Sequence, residues 1–276
     1  MADYQEINVY CHSDFTDILI AEMASLGFDT FQENGTGFTT FCEGEFDLHL
    51  LDDISDQYGA MASFSYALKE VDKQNWNEEW EKHYDPIVVE NKCIVRAAFH
   101  SNLPNYPIEL IITPKMSFGT GHHETTYMML AEMLQLNFKE KSVMDAGTGT
   151  GVLAILAKKQ GASTVFAFDI DDWCVENSLE NKEVNNVQIE VVKASIEELE
   201  MVSKYDIISA NINKNILLAQ MTYYQKALNP GGILLLSGFY VEDIEDIKNR
   251  AQQEKLVMES YRERNKWAMA RFSKIE

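Results

Sequence analysis

The sequence is short of positive charge. It carries 23 Lys and Arg residues against 44 Asp and Glu, a formal net charge of −21 at pH 7. A pI near 4.6 excludes a general binder of nucleic acid or anionic membrane, because like charges repel. A basic protein partner is compatible with it. Cysteine is also scarce. Cys11, Cys42, Cys93 and Cys174 stand far apart, without zinc-ligand spacing and too few for a disulfide scaffold. Free thiols in a reducing compartment are expected. No apolar run reaches the roughly 18 residues of a membrane span. The start, MADYQEINVY, lacks the basic and apolar regions of a signal peptide. These absences lead to the expectation of a soluble, cytoplasmic protein that binds no membrane and no nucleic acid directly.

What is present is an ordinary globular balance, 46% hydrophobic and 24% charged over 276 residues. Domains hold about 100–200 residues, so one large or two unequal domains are expected. Residues 1–72 form one unit. Glu6–Cys11 alternates as a strand does. Asp14 is the expected cap of a helix with Phe15, Ile18, Leu19, Met23 and Leu26 on one face, stopped by Gly27. Asn34-Gly35-Thr36-Gly37 signals a hairpin. Leu48, Leu51, Ile54 and Tyr58 mark a second helix ending at Gly59, and Met61–Val71 a last strand. The order β-α-β-β-α-β is ferredoxin-like, an arrangement that assigns no function alone.

Residues 73–92 read as a helical linker in which Trp76 and Trp80 share one face and Pro86 ends the helix. From residue 93 to 276 strands and helices alternate. Apolar runs at 142–147, 164–170, 189–194, 205–212 and 232–239 predict a parallel sheet covered on both faces. Leu256–Glu263 and Trp267–Ser273, joined by Arg264-Asn265-Lys266, predict a terminal antiparallel pair. The fold class is therefore α/β, a doubly wound, mostly parallel seven-stranded Rossmann-like sheet preceded by a small α+β domain.

Four motifs mark a site. Val143-Met144-Asp145-Ala146-Gly147-Thr148-Gly149-Thr150-Gly151 joins a strand to a helix, where glycines admit a ligand to the backbone. A dinucleotide fingerprint needs glycine at 152, where Val152 stands. The observed spacing resembles the cofactor loop of S-adenosylmethionine-dependent methyltransferases. Asp169, 22 residues after Gly147 at the end of the next strand, is placed to accept ribose hydroxyls. Asp171 or Asp172 suits the following helix cap better. The strand after that ends Lys193-Ala194-Ser195, without the acid that often meets the adenine amine, so Ser195 or a backbone group is the expected substitute. Asn211, in Ser209-Ala210-Asn211-Ile212-Asn213, can orient an amine or hold the cofactor. Phe118-Gly119-Thr120-Gly121-His122-His123-Glu124-Thr125-Thr126 precedes a helix that Thr125 or Thr126 is expected to cap. Adjacent His122 and His123 diverge, and no metal site is expected.

Together these segments resemble the ribosomal protein L11 methyltransferase family. The resemblance spans nearly the whole chain, including the N-terminal domain, Trp76 and Trp80, the segment 118–126, the glycine loop, Asp169-Ile170-Asp171, Asn211-Ile212 and Leu236-Ser237-Gly238. It implies S-adenosyl-L-methionine as cofactor, held by Thr126, Gly147, Asp169 and Asn211, with Gly149, Phe118, Gly119 and Thr120 beside them. It implies N-methylation of lysine side chains, and of the N-terminal amine as a further candidate, on a basic protein of the large ribosomal subunit. Asn211 is the candidate for orienting the amine, and no residue stands out as general base. The chain departs from the family at Thr113-Pro114-Lys115, usually Asp-Pro-Gly, at Glu124, usually proline, and at Thr148-Gly149-Thr150, usually Cys-x-Ser. Alternatives are a methyltransferase acting on another protein or a small molecule, and a non-catalytic cofactor-binding adaptor. A monomer is expected. Residues 1–72 hold 15 acids and one base, Lys69, a net of −14. Two-thirds of the net charge thus falls on the domain that the resemblance assigns to substrate recognition.

Overall fold

The computed structural model describes residues 4–28, 30–43, 47, 49–71, 84–101, 103–115, 117–199 and 204–275. Its contacts divide the chain into two units, Met1–Tyr84 and Asp85–Glu276. The expected linker helix, with Trp76 and Trp80, lies outside the described residues.

In the first unit the elements are β1 (Tyr4–Tyr10), α1 (Thr16–Ser25), β2 (Phe31–Asn34), β3 (Gly37–Glu43), α2 (His49–Ala62) and β4 (Ser65–Val71). The sheet order β2-β3-β1-β4 places β1 antiparallel between β3 and β4, the ferredoxin-like arrangement. Ile7, Val9, Leu19, Met23, Phe38 and Leu51 form its core. Three details differ from the sequence expectation. Asp14 is not the cap: a short turn, Ser13–Phe15, precedes α1, and the imidazole of His12 accepts the Asp14 N–H. Helix α2 runs through Gly59 to Ala62. Buried Leu51, Ile54 and Ala62 carry its apolar stripe past the glycine, whose cost in a helix is about 1 kcal/mol. The last strand therefore starts at Ser65, not Met61.

In the second unit β5 (Ile87–Val89), β6 (Cys93–Arg96) and β7 (Ile108–Ile111) make a small sheet. Strand β5 falls within the stretch expected to be linker; it pairs antiparallel with β6. There follow α3 (Glu124–Met133), β8 (Ser142–Ala146), α4 (Val152–Lys159), β9 (Thr164–Asp169), α5 (Asp172–Val184), β10 (Glu190–Lys193), β11 (Tyr205–Asn211), α6 (Lys214–Ala227), β12 (Leu228–Tyr240), α7 (Ile244–Gln253), β13 (Leu256–Arg264) and β14 (Trp267–Lys274). The seven-stranded order is β10-β9-β8-β11-β12-β14-β13. Strand β14 runs antiparallel to both its neighbours, β12 and β13, and every other pair in this sheet is parallel.

Each sheet face is sealed by helices. Met129 and Leu130 of α3 and Ile155 and Leu156 of α4 fill one side. Leu217, Met221 and Tyr224 of α6 and Ile247 of α7 fill the other. The chain winds outward in opposite directions from β8, toward β9 on one side and β11 on the other. That reversal leaves a crevice at the carboxyl ends of the strands, where open α/β sheets bind ligands. No helix among the described residues is long and apolar enough to cross a membrane.

Candidate active site

A cavity of about 870 Å³ occupies this crevice. The ends of four strands meet in its lining: Gly147 after β8, Asp169 of β9, Ser195 after β10 and Asn211 of β11. The glycine loop gives it shape. Gly147 has φ +65° and Gly149 φ +55°, a region costly for other residues. A Cβ on Gly149 would stand 2.2 Å from the Phe118 carbonyl oxygen, and one on Gly147 2.3 Å from Ile212 Cγ2. The loop is thus wedged between the segment containing Phe118 and the end of β11, with its backbone facing the cavity.

Under the loop lies Asp145, buried at 1% exposure. The hydroxyls of Ser209 and Thr148 each donate to its carboxylate at 2.7 Å. Burial pushes its pKa up to about 6; these donors and the Ala154 N–H oppose the shift, and the charge of Asp169 adds to it.

Asp169 is itself buried. Its Oδ2 accepts the Gly149 N–H at 2.9 Å and its Oδ1 the Asp171 N–H at 3.2 Å. As expected, Asp171 occupies the cap position of α5, though without a side-chain cap bond; Asp169 is not left free, since it accepts the Asp171 N–H. A carboxylate offers about four acceptor sites, so capacity for two ribose hydroxyls remains. Asp169, Asp171 and Cys174 bring ligand atoms within 4.8 Å of one another. Burial first, and Asp169 second, raise the Cys174 thiol pKa, which opposes the thiolate a metal needs.

At the end of β11, Asn211 Nδ2 donates to Thr126 Oγ1 at 3.3 Å. Its Oδ1 is buried and has no hydrogen-bond partner among the described residues. The lining contains Phe118, Gly147, Gly149, Asp169 and Asn211 of the predicted set. Gly119, Thr120 and Thr126 are not part of it. Thr126 is fully buried behind Asn211. The Gly119 carbonyl instead accepts the Thr150 hydroxyl at 2.7 Å, latching this segment onto the glycine loop.

Neither Thr125 nor Thr126 caps α3. His123 does: its Nδ1 accepts the Thr125 N–H at 3.3 Å and lies 2.8 Å from Thr125 Oγ1. Accepting at Nδ1 leaves the ring proton on Nε2. The same imidazole meets Phe118 edge-on at a centroid distance of 5.0 Å and Trp267 at 4.7 Å. Trp267 in turn packs on Tyr240 at 4.2 Å. Phe118, His123 and Trp267 form one aromatic wall of the cavity. His122 turns away, toward the Asp85 carbonyl at 3.0 Å.

Sequence reasoning missed the buttress behind the loop. On α5, Asn177 and Asn181 share one face, and Asn185 at its C-cap continues it. Asn181 accepts the Thr113 N–H at 2.9 Å and donates to the Thr150 carbonyl at 2.8 Å. Asn185 accepts the Ile111 N–H at 3.0 Å, and Ser178 donates to the Gly149 carbonyl at 2.8 Å. The i, i+4, i+8 spacing of asparagines was the available signal.

Against known proteins, residues 22–274 match the family model described as ribosomal protein L11 methyltransferase. A protein of that name from Porphyromonas gingivalis is 43% identical over 266 residues, covering 93% of this chain and 90% of the relative. Another from Bacteroides thetaiotaomicron is 39% identical over 272 residues, covering 95% of each. A crystal structure of a ribosomal protein L11 methylase from Lactobacillus delbrueckii subsp. bulgaricus matches at TM-score 0.65 and 26% identity, over 70% of this chain and all of that one. A methyltransferase from Pyrococcus furiosus, at TM-score 0.52 and 19% identity, shares the fold over 60% of this chain. With the family model spanning most of the chain and relatives of that name matched over nearly their full length, the chain belongs to the ribosomal protein L11 methyltransferase family.

Proposed function

We propose that this chain uses S-adenosylmethionine to methylate lysine side-chain amines of ribosomal protein L11, which docks on the acidic N-terminal unit. The observation that carries the reading is Asn211 Oδ1, a buried acceptor without a partner at the end of β11. A buried unpaired acceptor costs about 1–3 kcal/mol, and an amine N–H of the substrate would relieve that cost.

The residues fit the cofactor. Gly147 and Gly149 line the cavity with bare backbone at the strand ends, and Asp169 retains acceptor capacity. When bound, the cofactor supplies an electrophilic methyl group on a sulfonium. The protein's task is alignment, which is worth up to roughly 7–11 kcal/mol in ideal cases. Asn211 holds the amine by its N–H and so directs its lone pair. The wall of Phe118, His123 and Trp267 excludes water from the amine.

Exclusion of water matters because lysine has a pKa near 10.4 and must be neutral to attack. Desolvation favours the neutral form. His123 does not serve as base, because its Nδ1 is occupied by Thr125 and its Nε2 carries the proton. The ammonium loses its proton to bulk solvent before it enters the dried site; the neutral amine would then form the N–C bond as the S–C bond breaks, the thioether leaving with the electron pair.

The test is transfer of a labelled methyl from S-adenosylmethionine to purified ribosomal protein L11, with the modified residues mapped by mass spectrometry. Label on lysines of the wild-type reaction, and a loss of at least about tenfold in kcat for Asn211→Ala, is expected. Absence of label on the ribosomal protein refutes the reading. Label confined to other proteins or small molecules points to a different substrate.

A further inference from the structure

The tip of the β13–β14 hairpin has little apolar anchorage. Asn265 and Lys266 form a two-residue turn with φ +47° and +69°, and residues 263–266 are all exposed. Segments with so few buried contacts open most easily. Yet Trp267, the first residue of β14, belongs to the cavity wall, so the place of this tip decides the place of the wall. On one side backbone secures it: the Val241 N–H donates to the Lys266 carbonyl at 2.9 Å.

On the other side the anchor is a carboxylate. Glu124, the first residue of α3, uses both of its oxygens on the tip. Its Oε1 accepts from Asn265 Nδ2 at 2.5 Å, and its Oε2 forms an ion pair with Arg264 Nε. The Arg264 guanidinium also lies over the ring of Tyr127, 3.9 Å from its centroid. Further along the same helix, buried Glu132 pairs with Arg262 of β13 at 2.7 Å and with Arg271 of β14 at 3.6 Å. Charge thus fastens the hairpin to α3 at two levels.

Arg264 and Trp267 are paired directly across the turn, and residues so paired share a face. Holding Arg264 therefore holds Trp267. The neighbour of Glu124, His123, meets the indole edge-on at 4.7 Å. Two adjacent residues at the start of α3 act on one wall: His123 touches Trp267, and Glu124 fixes the turn that carries it. We propose that Glu124 is a positioning residue for methyl transfer, its clamp on Arg264 and Asn265 holding Trp267 against His123 and keeping the cavity dry. This inference rests on the function proposed above, in which that wall excludes water.

The experiment uses the full chain labelled with 5-fluorotryptophan, the Trp267 fluorine resonance being assigned by its loss in Trp267→Phe. Glu124→Pro removes the carboxylate while suiting the first position of a helix. His123 already has the extended φ −71° and ψ 141° that proline demands of the residue before it. Arg264→Gln removes the other partner. Each variant should shift the Trp267 resonance and raise its broadening by a soluble paramagnetic probe at least about twofold. The double variant should match the single ones, because all three lose the same contact. The kcat for transfer to ribosomal protein L11 should fall about tenfold, with S-adenosylhomocysteine affinity by calorimetry within about twofold of wild type. Melting temperatures verify that each variant is folded. An unmoved Trp267 resonance in folded variants overturns the clamp. A moved resonance with unchanged kcat, or cofactor affinity lost in step with kcat, overturns its role in the reaction and leaves the proposed function intact. Absence of transfer by the wild-type protein overturns the proposed function and this role with it.

Discussion

Replacing Asp145 by asparagine should change the pH dependence of stability in a direction set by burial. The ordinary pKa is 3.8 and the folded value about 6. Below pH 3.8 the carboxyl is neutral in both states and contributes nothing. As pH rises, the unfolded chain ionises first, while the folded protein keeps its proton until about pH 6. The folded state then binds more protons, so stability falls with rising pH through this window and levels off above it. The full loss is about 3 kcal/mol, from roughly two pKa units at 1.36 kcal/mol each, of which about 2 kcal/mol falls between pH 4.5 and 7.5. Asparagine carries no such dependence. The variant's stability relative to wild type should therefore improve by about 2 kcal/mol from pH 4.5 to 7.5. For a unit of this size that is about 4–8 °C in Tm. The absolute offset is a separate matter, since an amide cannot accept from Ser209, Thr148 and Ala154 as a carboxylate does. The assay is thermal unfolding of both proteins across that pH range, read as the difference at each pH. A flat difference would refute the reasoning. A falling one would mean that the three donors outweigh burial and hold the carboxyl below its ordinary value.

Two further outcomes follow from geometry and charge. Gly149→Ala places a methyl 2.2 Å from the Phe118 carbonyl oxygen at φ +55°, so about 2–5 kcal/mol of strain is expected. It should appear as a lower Tm together with at least about tenfold weaker S-adenosylhomocysteine binding by calorimetry, and retention of both contradicts the wedged loop. The net charge of −14 on residues 1–72 should make association with a basic protein substrate salt-sensitive. Raising salt from about 0.05 to 0.5 M shortens the screening length several-fold and should raise KM for that substrate severalfold. An unchanged KM removes the docking role of that charge.

The elements that sequence made legible are those whose signal is local. The glycine loop has a fixed spacing, Asp169 ends an apolar run, and Arg264-Asn265-Lys266 marks a hairpin whose Asn265 and Lys266 do take the left-handed conformation such tight turns demand. The features that were misread depend on partners distant in the chain. Gly59 should have stopped α2 by propensity, and burial of Ala62 carried the helix past it. Thr125 was the natural cap by residue type. His123 took the role because its ring is already fixed between Phe118 and Trp267, residues separated by nearly 150 positions. The asparagines of α5 look like polar surface until Thr113, Thr150 and Ile111 are brought against them. Strand β5 has three residues, too few for periodicity to register.

The aromatic wall also has a place in time. Translation delivers the glycine loop, Asp169 and Asn211 before the hairpin of β13 and β14 has been made. Trp267 is the last of the cavity's linings to be synthesised, and its strand pairs with both β12 and β13. Until that hairpin docks, the crevice lacks the wall that Trp267 provides. Its lining is therefore drawn from the whole length of the second unit, and is complete only once the last strand pair of that unit has formed.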